Sequence, residues 1–181
     1  MIKLAQQKNL LTKETLKTLF IDSTMIKNFK GIDLLGKNHY DRNRAGNKVS
    51  LIISSNGIPL SINLTTANRH DLHEVLPTIN NSPITLRNIN LVADGAYLSK
   101  SLKIQLKVKK IRLIAPYRKN QILKNNKTET RLLKQRYLVE NVFSWIQNYR
   151  RLRTRYDKSS HTYLQFYYFG LAEVIARKLN K

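Results

Sequence analysis

The 181-residue sequence contains no cysteine and only 11 acidic residues against 33 lysines and arginines. The first absence excludes disulfides and thiolate metal sites and fits a reducing compartment. The second leaves a formal net charge of +22 and a pI near 10.4. Such a balance implies a polyanionic partner, because neutralising phosphates releases condensed counterions. No apolar run approaches the ~18 residues of a membrane span, and residues 1–11 are too polar for a secretory leader, so an intracellular, soluble protein is expected. There is no glycine-rich nucleotide loop, internal repeat or low-complexity linker. A hydrophobic fraction of 41% and a mean hydropathy of -0.43 describe a folded domain rather than a disordered basic tail. On charge alone, a basic RNA binder of ribosomal type and an anionic-membrane binder are the alternatives.

The scarce acids stand in unusual places. Asp22 ends the apolar run Leu19-Phe20-Ile21, Asp94 ends Ile89-Asn90-Leu91-Val92-Ala93, and Glu140 rides a helical stretch over residues 137–146. A carboxylate leaving a buried strand is costly to desolvate unless a cation meets it, and converging carboxylates repel unless a divalent ion lies between them. Mg²⁺ is the natural candidate, because it takes oxygen ligands, commonly one or two carboxylates with phosphate and water. In so basic a chain the phosphate is expected to be that of nucleic acid.

Periodicity gives an order of elements. Residues 1–18 are polar and helix-compatible, with a cap offered by Thr12-Lys13-Glu14-Thr15. A short strand over 18–22 and a polar loop over 27–47 follow. Strands at 48–53 and 58–64 are joined at Ser54-Ser55-Asn56-Gly57, since Asn-Gly supplies the positive φ of tight hairpins, and the three segments fit an antiparallel meander. Residues 71–80 have the acidic start and apolar spacing of a short helix interrupted by Pro77. Strand 88–93, helix 99–106 and strand 110–114 form a parallel crossover. After a basic loop, 116–126, one long helix is expected over 128–149 and another over 161–180. On the first, at about 100° per residue, Leu132, Val139, Val142, Phe143, Ile146 and Tyr149 share one arc, with Arg136, Glu140 and Gln147 on its flank. Glu140 then looks along the rim of the core toward the strands bearing Asp22 and Asp94. A plain helix-surface ion pair between Arg136 and Glu140 is the competing explanation.

These acids belong to an ordered series: Ile21-Asp22-Ser23-Thr24, Gly57-Ile58-Pro59-Leu60, Ala67-Asn68-Arg69-His70-Asp71, Val92-Ala93-Asp94-Gly95-Ala96-Tyr97, and Arg136-Tyr137-Leu138-Val139-Glu140 leading into Arg150-Arg151-Leu152-Arg153-Thr154-Arg155-Tyr156-Asp157. The series resembles the catalytic domain of bacterial insertion-sequence transposases of the DDE type, within the retroviral integrase superfamily. The resemblance implies an α/β, ribonuclease H-like fold, a mixed sheet with an antiparallel meander, parallel strands and flanking helices. It makes Asp22, Asp94 and Glu140 the catalytic acids that hold two Mg²⁺ or Mn²⁺ ions. It implies hydrolysis of a phosphodiester at the element's ends and attack of the freed 3′-hydroxyl on target DNA, with one ion activating the nucleophile and the other stabilising the leaving oxygen. Arg136 matches the family's arginine and is expected near DNA phosphate or the acids. Leu133 stands where a tyrosine is common, and Gln147 where a basic residue is common. The implied division is an N-terminal extension or truncated linker (1–17), the catalytic domain (18–158) and a C-terminal helix on the same domain (159–181). DNA is the implied partner, in a homodimer, with end recognition supplied by a helix-turn-helix protein encoded upstream. The chain then corresponds to the second product of a split, frameshift-expressed transposase or to a decayed fragment, in the cytoplasm at the nucleoid.

Between Lys107 and Lys158 sixteen basic residues face three acids, a pattern that argues for a DNA track. Arg150, Arg151, Arg153 and Arg155 are expected to grip backbone phosphates, as are Arg42, Arg44 and Lys48. A loop ion pair of Arg42 or Arg44 with Asp41 is the alternative there. Asp71 is expected to cap or complement a helix start, with a secondary role near the site. Tyr97 is expected to wall the site. Two other functions remain in view, a catalytically silent nucleic-acid-binding protein and a ribonuclease H-like nuclease without strand transfer.

Overall fold

The computed structural model describes residues 1–117 and 123–180, so part of the expected basic loop over 116–126 lies outside the described residues. At the N-terminus α1 (Ile2–Gln7) precedes α2 (Lys13–Lys17). Thr12 and Thr15 exchange side-chain and backbone hydrogen bonds of 2.9 and 3.2 Å, a capping box where the cap was expected.

Strand β1 (Thr18–Asn28) is twice the expected length and corrects the reading of Asp22 as a strand end. The polar residues beyond Ile21 stay extended because a neighbouring strand keeps pairing with them. The loop expected over 27–47 likewise contains β2 (Gly36–Asn38) and a 3₁₀ turn, His39–Asp41, before β3 (Arg44–Ser54) begins. β3 pairs antiparallel with β1 from Leu19↔Ser54 to Lys27↔Gly46. Through the turn at Gly57, whose φ is +77°, β4 (Pro59–Thr66) returns antiparallel on β3. A 3₁₀ turn, Asp71–Glu74, runs into α3 (Val75–Asn80). Pro77 does not interrupt that helix, because it stands in the first turn, where an amide proton has no helical partner to lose.

The parallel half follows as β5 (Ile89–Val92), α4 (Lys100–Val108) and β6 (Ile111–Ile114), with β5 parallel to both β6 and β1. Ser99 caps α4. The long helix expected over 128–149 is two: α5 (Lys127–Lys134), started by an Asn126–Glu129 capping box, and α6 (Tyr137–Gln147). The amides of Gln135 and Arg136 fold back onto Leu132 and Leu133 at 2.9 and 3.3 Å, which closes α5 in a 3₁₀ turn. α5 buries no residue fully, while α6 buries Val139, Val142, Phe143 and Ile146, so the packing that directs α6 does not extend into α5. The arginine-rich segment is also ordered, as α7 (Arg150–Arg153) and β7 (Thr154–Arg155), the latter parallel to the end of β1. α8 (Ser160–Leu179) completes the chain.

Across the sheet run β4, β3, β1, β5 and β6; β2 shares the outer edge of β3 with β4. Alternation along β1 divides the core. Leu19 and Ile21 pack with Val75, Ile79, Tyr97, Leu102 and Leu106 on one face. Phe20 packs with Val139, Val142, Phe143, Ile146, Tyr163 and Tyr167 on the other. An antiparallel meander extended by two parallel strands and covered by helices on both faces is the ribonuclease H-like α/β arrangement expected. No helix among the described residues is long and apolar enough to cross a membrane.

Candidate active site

Parallel register brings the first two acids together. The β1–β5 pairing ends at Phe20↔Val92, so Asp22 and Asp94 each stand two residues beyond the last registered pair. Asp22 shares the face of Phe20, the face that α6 covers. Asp94 leaves the sheet and caps the 3₁₀ turn Gly95–Tyr97 by accepting from the Gly95 amide. Glu140 sits in the first turn of α6.

One guanidinium gathers all three. Arg136 Nη2 lies 3.2 Å from Asp22 Oδ2 and 4.0 Å from Glu140 Oε1, while its Nη1 lies 3.7 Å from Asp94 Oδ1. The break between α5 and α6 makes this reach possible, because it places Arg136 at the N-terminal boundary of α6. An ordinary surface pair of Arg136 with Glu140 does not describe this arrangement. The side chain of Arg136 is 20% exposed, and its Nε is buried without a hydrogen-bond partner. Asp22 is equally sheltered at 20% exposure, whereas Asp94 and Glu140 are 52% and 60% exposed and open to an incoming ligand.

The charge is unbalanced. Burial pushes the Asp22 carboxyl above its ordinary value; the Ser23 amide, donating at 2.9 Å, and Arg136 oppose that rise, and the neighbouring charge of Asp94 adds to it. A single guanidinium therefore undercompensates three carboxylates. Their oxygens are hard donors suited to Mg²⁺ or Mn²⁺ in kind and in charge. In the arrangement described, Arg136 stands at their focus, and among the described residues no three His, Asp or Glu groups close on one ion position. The carboxylates could close on an ion only if the guanidinium moved aside.

The other expected contacts divide. Arg42, Arg44, Arg150 and Arg153 are exposed. Arg150 lies 5.6 Å over the ring of Tyr156, and Arg151 is both stacked 3.4 Å over Phe166 and paired with Asp157. Two residues leave the DNA-contact set. Lys48 is 6% exposed, with its ammonium 2.8 Å from Asp71 and 2.5 Å from the Arg69 carbonyl. Arg155 is fully buried: its nitrogens donate to Asp33, Asn47 and the carbonyls of Asp33, Asp157 and Lys158. A Cβ at Gly31 would come within 2.6 Å of that guanidinium, which explains the glycine. Gln147, where a basic residue was looked for, instead donates to Thr24 Oγ1 at 2.8 Å and ties α6 to β1.

Asp71 stands in the first turn of the 3₁₀ helix Asp71–Glu74, as expected of a residue complementing a helix start, but it is not the cap. His70 is the cap of that 3₁₀ turn, accepting from the Leu72 amide at 3.2 Å, while the Asp71 carboxylate turns to the sheet, to Lys48 and to the hydroxyl of Ser23. The signal that could have found this was the Asn68-Arg69-His70-Asp71 motif itself, which holds Asp71 and the Arg69 carbonyl over Lys48.

Comparison with known proteins agrees with the sequence resemblance. The family described as "Transposase DDE domain" matches residues 13–172. A Burkholderia cepacia protein, named as the transposase for insertion sequence element IS402, is 29% identical over 146 residues. The alignment covers 75% of this chain and 65% of that protein, so the chain spans somewhat less than two thirds of its relative. Among solved structures, the piggyBac transposase synaptic complex with hairpin DNA gives a TM-score of 0.43 at 14% identity, covering 59% of this chain and 24% of that one. The simian T-cell lymphotropic virus intasome in complex with PP2A regulatory subunit B56 gamma gives 0.45 at 14% identity, covering 85% and 46%.

Proposed function

Because the chain belongs to the transposase DDE domain family, we propose that it is the catalytic part of a DNA transposase, with Asp22, Asp94 and Glu140 holding two Mg²⁺ or Mn²⁺ ions. The observation that carries this reading is the meeting of those acids around Arg136. When bound, the ions lower the barrier for attack of water or a 3′-hydroxyl on a phosphodiester and stabilise the oxygen that leaves. The protein's own contribution is position. The pairing of β1 with β5 sets Asp22, within β1, beside Asp94, just past the end of β5; α6 carries Glu140 in the covering layer, and the Ser23 amide holds one oxygen of Asp22. Such chemistry depends on orientation and charge neutralisation more than on covalent help. In this reading Arg136, released from the acids, meets a DNA phosphate beside them, and Arg42, Arg44, Arg150 and Arg153, all exposed, extend the phosphate contacts.

Element ends and target DNA are the substrates in this reading, handled by a homodimer at the nucleoid. Recognition of the ends falls to a helix-turn-helix segment or protein working with this domain. The test uses Asp22→Asn, Asp94→Asn and Glu140→Gln. Each is expected to lower Mg²⁺-dependent cleavage and strand transfer by about 100-fold or more, while salt-sensitive DNA binding persists. Equal loss of binding and cleavage in all three would contradict the assignment. Nicking by the wild type without joined products would point to a ribonuclease H-like nuclease, and binding without any cleavage to a silent DNA-binding protein.

A further inference from the structure

Behind Asp22, on the opposite face of β1, lies a second polar cluster. Adjacent residues of a strand point to opposite faces, so Asp22 turns toward α6 and Ser23 toward the 3₁₀ turn Asp71–Glu74. Ser23 is held at two points: its amide donates to Asp22 Oδ1 at 2.9 Å, and its hydroxyl donates to Asp71 Oδ1 at 2.6 Å. The same Asp71 oxygen lies 2.8 Å from the ammonium of Lys48 on β3, and that ammonium also donates to the Arg69 carbonyl at 2.5 Å. Tyr97, three residues beyond Asp94, completes the cluster. It is buried, and its hydroxyl lies beside Ser23 without completing a hydrogen bond of good geometry. The two 3₁₀ turns, one bearing Asp71 and the other leading from Asp94 to Tyr97, pack on each other.

Stability alone does not explain the cluster. A buried ion pair is commonly no better than an apolar pair of equal volume, because both charges lose their water. Nor is Asp71 a free fourth ligand, since one of its oxygens already meets two cationic or hydroxyl donors. What the pair does supply is direction. A carboxylate locked by Lys48 gives the Ser23 hydroxyl one orientation, and a fixed Ser23 presents its amide to Asp22.

We propose that Asp71, braced by Lys48, is a positioning residue for the candidate active site: through Ser23 it aims the Asp22 carboxylate, and through the packing of the two turns it holds Asp94 beside it. The proposal rests on the metal-binding role given to these acids. It predicts that breaking the chain Asp71–Ser23 disorders Asp22 before it unfolds the domain.

The test compares the wild type with Asp71→Asn, Asp71→Ala, Ser23→Ala and the double variant Lys48→Met/Asp71→Leu. Three quantities are read: the Mn²⁺ concentration for half-maximal nicking of supercoiled plasmid, amide hydrogen exchange at position 23, and the melting temperature. Asp71→Asn keeps an acceptor for the Ser23 hydroxyl and is expected to stay nearest the wild type. Asp71→Ala, Ser23→Ala and the double variant are expected to raise the Mn²⁺ requirement by about 10-fold or more and to speed exchange at position 23. The double variant leaves no unpaired buried charge, and Ser23→Ala leaves the ion pair intact, so both separate lost positioning from lost folding. An unchanged Mn²⁺ requirement and unchanged exchange in those two variants overturn the inference. If the wild type shows no Mn²⁺-dependent nicking while exchange responds as described, the catalytic reading fails and the positioning of Asp22 by Asp71 stands.

Discussion

Arg136, partly sheltered, and Arg155, fully buried, do opposite things with similar neighbours. Arg155 is enclosed by one carboxylate, one side-chain amide and three carbonyls, with every nitrogen engaged. Arg136 meets three carboxylates, two of them at 3.7 and 4.0 Å, and leaves its Nε without a partner. The first knot is saturated and close to charge balance, as a structural crosslink between the β1 end, β7 and the start of α8 should be. The second is loose and carries surplus negative charge. The difference teaches that in this basic chain the number and tightness of its partners, rather than the burial of an arginine, separates scaffold from site.

The comparison breaks most visibly at Arg155. Arg155→Met strips the buried carbonyls and Asn47 of their donors and is expected to cost about 3 kcal/mol or more, read as a lower denaturation midpoint with little change in DNA-binding salt slope. If Arg155→Met instead weakened DNA binding at unchanged stability, Arg155 would belong to the DNA track after all. At Arg136 the expected effect is smaller and conditional on metal. Arg136→Gln leaves the carboxylates repelling one another, so its melting temperature should fall without divalent ions and rise with Mg²⁺ more steeply than that of the wild type. Equal Mg²⁺ responses would remove the surplus charge from the account.

Asp33 sharpens the structural side. Hydrogen bonds from Ser160, and then Arg155, hold its carboxyl below the ordinary 3.8. A depressed carboxylate adds stability above the unfolded value and loses it as pH falls through the folded one. The advantage of the wild type over Asp33→Asn should therefore be constant from neutral pH down to about 5 and shrink below 3.8. A gap that widens on acidification would contradict this. The smallest effect belongs to exposed Arg150: Arg150→Ala should lower the salt dependence of DNA binding by roughly 0.9 in slope, with no change in melting temperature.

Much of this was legible in the sequence, and the parts that were not share a cause. The apolar runs ending in Asp22 and Asp94 gave the strands that carry these acids, and the strand, helix, strand order gave the parallel pairing of β5 with β6; the parallel pairing of β1 with β5 joins residues distant in the chain and had no such local signal. The meander, its Gly57 turn and four residues of the apolar arc, Val139, Val142, Phe143 and Ile146, were readable for the same local reasons, while Leu132 and Tyr149, expected on that arc, are only partly buried. Asp22 looked like a strand end because Ser23 and Thr24 are polar, yet pairing with distant Ser50 and Val49 continues β1 past them. The break before α6 has no glycine or proline to mark it and comes from packing. Lys48 and Arg155 read as DNA-phosphate contacts, since their counterparts Asp71 and Asp33 lie far off along the chain. Gln147 looked like a lost DNA contact, whereas its partner is Thr24 on another element. Local patterns gave the elements; contacts between distant residues decided which charges are spent.

The most direct test is a Mn²⁺ titration followed by electron paramagnetic resonance, with DNA present, of the wild type and of Asp22→Asn/Asp94→Asn/Glu140→Gln. Roughly two ions per chain should bind the wild type and be lost from the triple variant, which should keep its fold and its DNA affinity. Equal Mn²⁺ binding by both proteins would contradict a metal centre built from these three acids.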